Sequence, residues 1–113
     1  MIIHLDVKPM SVNKAWQGRR YKTKEYKEYE RLMLMLMPNI DFKFKGNISV
    51  DITFGFSNNT SDIDNPLKLV LDILQKKYKF NDRSIYELNV KKEVTKKKEE
   101  FIKIRIYENN LEN

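Results

Sequence analysis

Three aspartates, Asp62, Asp64 and Asp82, are the side chains of this sequence best suited to chemistry. Asp62 and Asp64 are two residues apart, and residues two apart in an extended segment point to the same side. Two carboxylates aimed at one point repel each other unless a cation lies between them. Oxygen ligands without sulfur or imidazole suit Mg²⁺ or Mn²⁺. The spacing therefore predicts a site for a hard divalent cation, which can activate water and neutralise charge on a phosphoryl group.

The rest of the chain is basic, with 22 Lys and Arg against 16 Asp and Glu and a formal charge of +6. Such an excess favours an anionic partner. All the charged residues from Lys8 to Lys24 are basic, and Trp16 and Tyr21 lie among them, as in a loop that grips phosphates and stacks on bases. A solvated loop explains the same run equally well. The residues predicted to contact DNA are Lys14, Arg19, Arg20, Lys22 and Lys24.

Composition limits the remaining classes of function. The 113 residues suffice for one domain, and 41% of them are apolar, which supports a real core. No cysteine is present, so disulfides and thiolate metal sites are excluded. The single histidine, His4, gives poor support to multi-histidine zinc sites or imidazole catalysis, and we assign it a structural role. No apolar run resembles a signal peptide or could span a bilayer, so we expect a soluble intracellular protein without membrane association.

Alternating and helical hydrophobic patterns predict the element order β-α-β-α-β-β. The expected fold is α+β, a single domain at 1–108 with a mixed β-sheet of about four strands and two helices, followed by a flexible tail at 109–113. The predicted helices begin at the Thr23 cap and at an Asn65 cap followed by Pro66. The predicted strands are 2–7, 48–56, 86–90 and 102–106, with a long loop at 10–22 and a hairpin tip at Lys96–Lys98.

The second helix is expected to place Lys68 in its first turn, beside the carboxylates, where it can contact a phosphate or stabilise a leaving oxygen. Asp72 follows one turn later on the same stripe. We expect Asp72 to pair with Lys68 and hold it in place, an interaction worth about 0.2–0.5 kcal/mol if exposed. The alternative interpretation is that Asp and Asn before a helix are only caps, and the same residues can do both.

Several segments of the sequence together form a recognisable pattern. They are Asp62-Ile-Asp64-Asn65-Pro-Leu-Lys68, Leu71-Asp72-Ile-Leu74, Asn81-Asp82-Arg-Ser-Ile85, and the earlier Lys8-Pro9-Met-Ser11-Val-Asn13 with Tyr21-Lys-Thr23-Lys24 and Tyr26. With this pattern the sequence resembles the RusA family of Holliday junction resolvases, small endonucleases common in phages and prophages. The resemblance covers nearly the whole chain.

The resemblance implies a Mg²⁺-dependent homodimer that cuts four-way DNA junctions symmetrically, in DNA recombination and repair in the cytoplasm of a bacterial host. Asp62, Asp64 and Asp82 match the family's catalytic and metal-binding carboxylates, and Lys68 matches its catalytic lysine. Asn65 and Asp72 are expected to support these groups. One departure is Asn81, which stands where the family often has the first aspartate of a pair.

The reach of Asp82 raises a geometric question. A helix from Pro66 to Lys77 is roughly 18 Å long, and the five residues from Tyr78 to Asp82 span about 17 Å when extended. Asp82 therefore returns to Asp64 within one chain only if the chain doubles back almost fully, and its delivery by a second subunit is a hypothesis. Two other functions stay open, a non-catalytic DNA-binding module whose aspartates are helix caps and a basic phage adaptor that binds protein.

Overall fold

The computed structural model describes residues 1–17, 21–41, 44 and 46–109. Its elements are β1 (Ile2–Leu5), β2 (Trp16–Gln17), β3 (Tyr21–Lys22), α1 (Lys24–Leu36), β4 (Ile48–Phe56), α2 (Leu67–Tyr78), β5 (Ile85–Val94) and β6 (Phe101–Glu108). Two 3₁₀ turns are found at Val12–Lys14 and Asp82–Ser84. The α+β prediction is confirmed, and the one addition to the sheet structure is the short β2–β3 hairpin inside the loop expected at 10–22.

Four strands form one mixed sheet in the order β1-β6-β4-β5. β4 is parallel to β5, and α2 forms the crossover that parallel neighbours require. β6 is antiparallel to both β4 and β1. Because β4 and β5 are parallel, the residues that follow β4 and the residues that precede β5 lie at opposite ends of the pair. This arrangement decides where the candidate site residues lie.

β5 and β6 do not form the hairpin predicted around Lys96–Lys98. β4 lies between them, so residues 95–100 carry the chain across the end of β4. The Thr95 N–H donates to the Phe56 carbonyl at 2.6 Å, and Lys98 adopts a φ of 69° in the connection. The hairpin prediction was wrong because strands adjacent in sequence are usually, but not always, neighbours in a sheet.

The two helices cover one face of the sheet. The Thr23 hydroxyl accepts from the Tyr26 N–H at 3.1 Å and caps α1, as the sequence predicted. α1 ends just before Pro38, which cannot continue a helix. Neither helix in the described part of the chain has the length and apolar composition needed to cross a membrane. The side chains of the helices that reach the core are Tyr26, Tyr29, Met33, Leu69, Val70, Ile73, Leu74 and Tyr78.

The end of the sheet extends to Asn109. Its backbone N–H donates to the Asn47 carbonyl at 2.9 Å, and its side-chain amide donates to the buried Ser49 hydroxyl at 3.1 Å. Both bonds hold the residue after β6 against the start of β4. The remainder of the predicted tail, residues 110–113, lies outside the described residues.

Gly55 allows the ring of Phe101 to lie directly on β4, and a Cβ at this position would overlap that ring. We expect Gly55→Ala to lower the free energy of unfolding by about 1–3 kcal/mol, the usual cost of overpacking. Urea denaturation measures this loss. In a Phe101→Ala background the same change should cost much less, because the overlapping ring is gone. An equal cost in both backgrounds would contradict the proposed clash.

Candidate active site

The connection from β4 to α2 carries Asp62 and Asp64, and both side chains are exposed. This segment is a turn, in which the Asn65 N–H donates to the Asp62 carbonyl at 3.4 Å and the Leu67 N–H donates to the Asp64 carbonyl at 3.2 Å. An extended segment was expected here from the sequence, and the turn at 63–66 corrects that expectation. The turn, and not strand alternation, sets the positions of the two side chains.

The fold does not use the two aspartates as helix caps. α2 begins at Leu67 with Pro66 before it, and no side chain caps its first turn. The prediction of an Asn65 cap was therefore wrong, and the Asn65 amide instead donates to the Asp62 carboxylate at 3.5 Å. The Asp64 carboxylate has no hydrogen bond or ion pair with the residues that the structure describes. The Asp64 carboxylate, and the Asp62 oxygen that does not accept from Asn65, are thus available to bind another group.

Local and long-range hydrogen bonds together fix the loop that leads into this turn. The Asn58 side chain accepts from the N–H groups of Thr60 and Ser61 at 3.0 and 2.9 Å. Lys92 of β5 donates to the carbonyls of Asn59 and Ser61 at 3.1 and 2.7 Å. Sequence reasoning overlooked both anchoring residues. Asn58 could have been noticed because asparagine in a polar turn often bonds its own backbone. Lys92 could have been noticed because the other residues on its side of β5 are apolar.

Asp82 approaches α2 near the opposite end from Asp64. Lys79 ends the helix in the left-handed region, with a φ of 59°, and the chain turns back. The Asp82 N–H then donates to the Gln75 side-chain oxygen at 3.0 Å, and the Gln75 amide donates to the Leu71 carbonyl at 3.1 Å. From Leu67 to Gln75 the helix rises roughly 12 Å. Within one chain, Asp82 therefore lies well along the helix from the Asp64 turn.

Asp72 lies on α2 within electrostatic reach of both Lys68 and Asp82. The pKa of Asp72 is raised, and partial burial is the largest cause. The Lys68 ammonium lowers this pKa, whereas repulsion from Asp82 raises it further. Among the described residues no ion pair joins Lys68 to Asp72, so the pairing expected from the sequence stays a prediction. Asp72 lies in the middle of α2, between Lys68 in the first turn and the part of the helix that Asp82 approaches.

One chain offers carboxylate oxygens of the kind that Mg²⁺ binds, but it does not bring all three predicted ligands together. In residues 1–17, 21–41, 44 and 46–109, no three Asp, Glu or His side chains are grouped to hold a metal ion. Mg²⁺ needs only one or two carboxylates when water and phosphate oxygens complete its shell. Asp62 and Asp64 can supply that pair, while Asp82 does not join them within the chain.

Glu30 links the basic segment to α2. Its carboxylate, 15% exposed, accepts from Lys22 at 3.0 Å and from Lys76 at 2.7 Å. Burial opposes ionisation of Glu30, but the hydrogen bonds from Lys76 and Lys22 outweigh burial and lower its pKa. The Lys22 ammonium also lies 5.3 Å from the centre of the Tyr26 ring. Burial, then the charges of Glu30 and Asp72, raise the pKa of Tyr26 to about 12.

The other residues predicted to contact DNA differ in their surroundings. Lys14 and Lys24 are exposed, whereas Lys22 already has protein partners. Arg19 and Arg20 lie outside the described residues. Trp16 packs edge-on against Tyr26, with ring centres 5.9 Å apart, and is half-buried. Of the predicted DNA-contacting residues that the structure describes, Lys14 and Lys24 are thus the exposed ones.

Replacing Glu30 by glutamine should destabilise the protein by about 1 kcal/mol at neutral pH, because two charge-assisted hydrogen bonds are weakened. The folded-state pKa is lowered, so the stabilisation is present above the unfolded value of 4.5 and is lost as pH falls through the folded value. Thermal melts at pH 7 and pH 3 measure this difference. The exposed Glu28→Gln is the matched control on the same helix, and identical pH profiles for the two variants would contradict the prediction.

Comparison with known families identifies the class of protein. A family model described as endodeoxyribonuclease RusA matches residues 6–107, a span that includes both helices and every candidate carboxylate. The chain belongs to the RusA family of Holliday junction resolving endodeoxyribonucleases, as the sequence resemblance indicated. Among curated proteins, none matches the chain.

Proposed function

We propose that the protein is a Mg²⁺-dependent, structure-selective endonuclease that resolves Holliday junctions by paired symmetric nicks, acting in DNA recombination and repair in a bacterial cytoplasm. The observation that carries this proposal is the exposed pair Asp62 and Asp64, on a turn fixed by several hydrogen bonds. Neither carboxylate caps α2, and the bond that the structure gives to either of them within its described residues is the one from the Asn65 amide to Asp62. Family membership supports the nuclease activity. The net charge of +6 supports a polyanionic substrate.

Each residue of the turn has a proposed role. Asp62 and Asp64 would hold Mg²⁺, or Mn²⁺ in its place, and such an ion would supply an activated water and neutralise charge on the phosphate. Lys68 lies in the first turn of α2, where its ammonium can meet the scissile phosphate or the leaving oxygen. Asn65 orients the Asp62 carboxylate. Asp72 follows Lys68 by one helical turn and is assigned a supporting role beside it.

DNA binding is assigned to the basic segment that precedes α1. Exposed Lys14 and Lys24 contact the phosphate backbone, and Lys22 stays tied to Glu30 while it adds to the local positive charge. We keep Arg19 and Arg20 in this set on sequence grounds alone. Contacts of this kind release counterions, so affinity for the junction should fall steeply as salt rises.

The second subunit of a homodimer completes the site with its Asp82. β5 is an edge strand of the four-stranded sheet, and no strand of the described residues pairs with its outer side. It also exposes apolar side chains, with Tyr86, Leu88 and Val94 at 54%, 39% and 59% exposure. An exposed apolar edge of this kind invites pairing with another strand. These features support β5 as the surface on which a second copy docks.

Antiparallel pairing of two β5 strands across a two-fold axis would explain the separation of the aspartates. The start of β5, which follows Asp82, would then lie near the end of the partner's β5. In each subunit the end of β5 lies beside the end of β4, since Phe56 and Val94 are in register. The turn with Asp62 and Asp64 follows β4 in the sequence, so the partner's Asp82 would approach it. The resulting pair of sites shares the two-fold symmetry of a four-way junction.

A synthetic four-way junction tests the proposed function. With Mg²⁺ we expect paired nicks at symmetric positions, and without divalent metal we expect binding and no cleavage. A linear duplex of the same sequence should stay intact. Equal cutting of the linear duplex would contradict structure selectivity, and the absence of cutting with both Mg²⁺ and Mn²⁺ would contradict the nuclease assignment.

The alternative of a non-catalytic DNA-binding module has less support. It required the aspartates to be caps, and α2 has no side-chain cap. After α2, Asn81 caps the 3₁₀ turn, because its side chain accepts from the Arg83 N–H at 3.0 Å. No feature of the described residues favours a protein adaptor over a nuclease.

A further inference from the structure

A cavity of about 720 Å³ opens beside the turn that carries Asp62. This volume is within the range of about 300–1,000 Å³ that is usual for ligand sites. Leu32 and Leu36 of α1 and Phe56 at the end of β4 form an apolar wall, while Asp62 and Asn65 belong to the polar wall. The cavity is thus continuous with the proposed metal site.

The cavity is preformed, and its apolar wall is not explained by core packing. The Val12 N–H donates to the Asn65 carbonyl at 3.0 Å, which ties the N-terminal wall to the turn. Leu32 and Leu36 remain 42% and 48% exposed. Two leucines at neighbouring positions of one helix face, open to a cavity, form a surface on which an apolar group can pack.

The charges around the cavity favour a neutral ligand with hydrogen-bond donors over a phosphate. Four carboxylates and two ammonium groups line it, so the interior is acidic on balance. Carboxylates accept hydrogen bonds from the amino groups of nucleobases, and an apolar wall suits the face of a planar ring. The charged lining residues are Asp6, Lys8, Lys14, Glu25, Asp62 and Glu100.

We propose that this cavity receives an unstacked nucleobase from a nucleotide next to the scissile phosphate, and thereby influences where a junction is cut. The inference rests on the proposed function, because Asp62 lies both at the metal site and on the cavity wall. The apolar wall takes the ring, the carboxylates accept from its amino edge, and Lys8 and Lys14 attract the adjoining phosphates. Unstacking a base is unfavourable, and it is least so where base pairing is already disturbed, as at a branch point.

A cavity-filling variant tests the site without altering a candidate metal ligand. Leu36→Trp places an indole in the cavity, and Leu32→Trp is a second filling variant. Met35→Trp is the matched control, because Met35 is on the same helix, is 71% exposed and does not line the cavity. All three positions are exposed, so we expect thermal melts close to that of the unmodified protein. A Leu36→Trp protein that fails to fold leaves Leu32→Trp to decide the question.

The first measurement uses junctions with 2-aminopurine at each nucleotide that flanks the cut, bound without divalent metal. Binding should raise the fluorescence several-fold at one position, because the base leaves the stack. Met35→Trp should behave in the same way, and the filling variants should bind without the rise. No rise at any flanking position, or equal rises in the filling and control variants, would overturn the inference.

The second measurement uses junctions with an abasic nucleotide at that position, cut in Mg²⁺. The unmodified protein and Met35→Trp should cut this substrate about tenfold more slowly than the intact junction, as expected for loss of one stacked base. The filling variants should cut both substrates equally. Normal cutting with no effect of the abasic nucleotide would refute the base pocket and leave the proposed function standing. No cutting of any junction would remove both.

Discussion

Replacing Asp64 by asparagine is expected to lower junction cleavage about a thousandfold while affinity for the junction changes less than about threefold. An amide in place of the carboxylate removes a charged oxygen ligand. Metal-ion stabilisation of a phosphoryl transition state is worth several kcal/mol, and each 1.4 kcal/mol is a factor of ten in rate. Binding should survive because basic side chains that contact phosphates supply most of it. Single-turnover cleavage and gel shifts without metal measure the two quantities.

Asp51→Asn is a suitable control for this experiment. Asp51 is on β4, in the register that faces away from the helices, and its carboxylate accepts from the Asn89 amide at 2.8 Å. This variant should cut within about twofold of the unmodified protein, because the change is equally conservative and far from the turn. Asp64→Asn should also keep its melting temperature, since the carboxylate has no partner among the described residues. Cleavage that persists in Asp64→Asn would remove this residue from the mechanism.

Mixing Asp62→Asn subunits with Asp82→Asn subunits is expected to restore cleavage that neither variant shows alone. If each site takes Asp62 from one copy and Asp82 from the other, a mixed dimer contains one intact site and one doubly altered site. Random exchange makes half of the dimers mixed, so about a quarter of all sites should be active. The products should be single nicks and not paired nicks, because only one site per dimer works.

A mixture of Asp62→Asn and Asp64→Asn subunits is the matched control. Both changes lie in the same turn, so every site of every dimer carries one of them and no activity should return. Leu88→Arg, which places a charge on the exposed edge of β5, should lower both dimer formation and cleavage. Failure of the first mixture to regain activity, under conditions where subunits exchange, would contradict a shared site.

The order of the elements could be predicted because its signals are local. β4 alternates apolar and small or polar residues, and α1 has a capping threonine, a helical apolar stripe and a terminating proline. The placement of β4 between β5 and β6 could not be predicted in this way. Which strands pair depends on the crossover through α2 and on the tertiary packing of one sheet face. The β2–β3 hairpin was not predicted for another reason, since its two-residue strands carry almost no periodic signal.

The residue types of the candidate site could be recognised from the sequence, but the contacts that hold these residues in place could not. The carboxylate motif and Lys68 lie within seven residues, so a local pattern reveals them. The groups that fix the site act across long separations, as Lys92 does on the loop before Asp62 and Glu30 does on α2. The position of Asp82 depends on the parallel pairing of β4 and β5, which follows from topology and not from spacing.

The most direct test is a crystal of the protein grown or soaked with Mn²⁺, with the ion located by its anomalous scattering. We expect one ion per site, about 2.0–2.2 Å from carboxylate oxygens, held by Asp62 and Asp64 of one subunit and by Asp82 of the other. An ion bound elsewhere, or a dimer in which Asp82 stays far from both turns, would contradict the shared site.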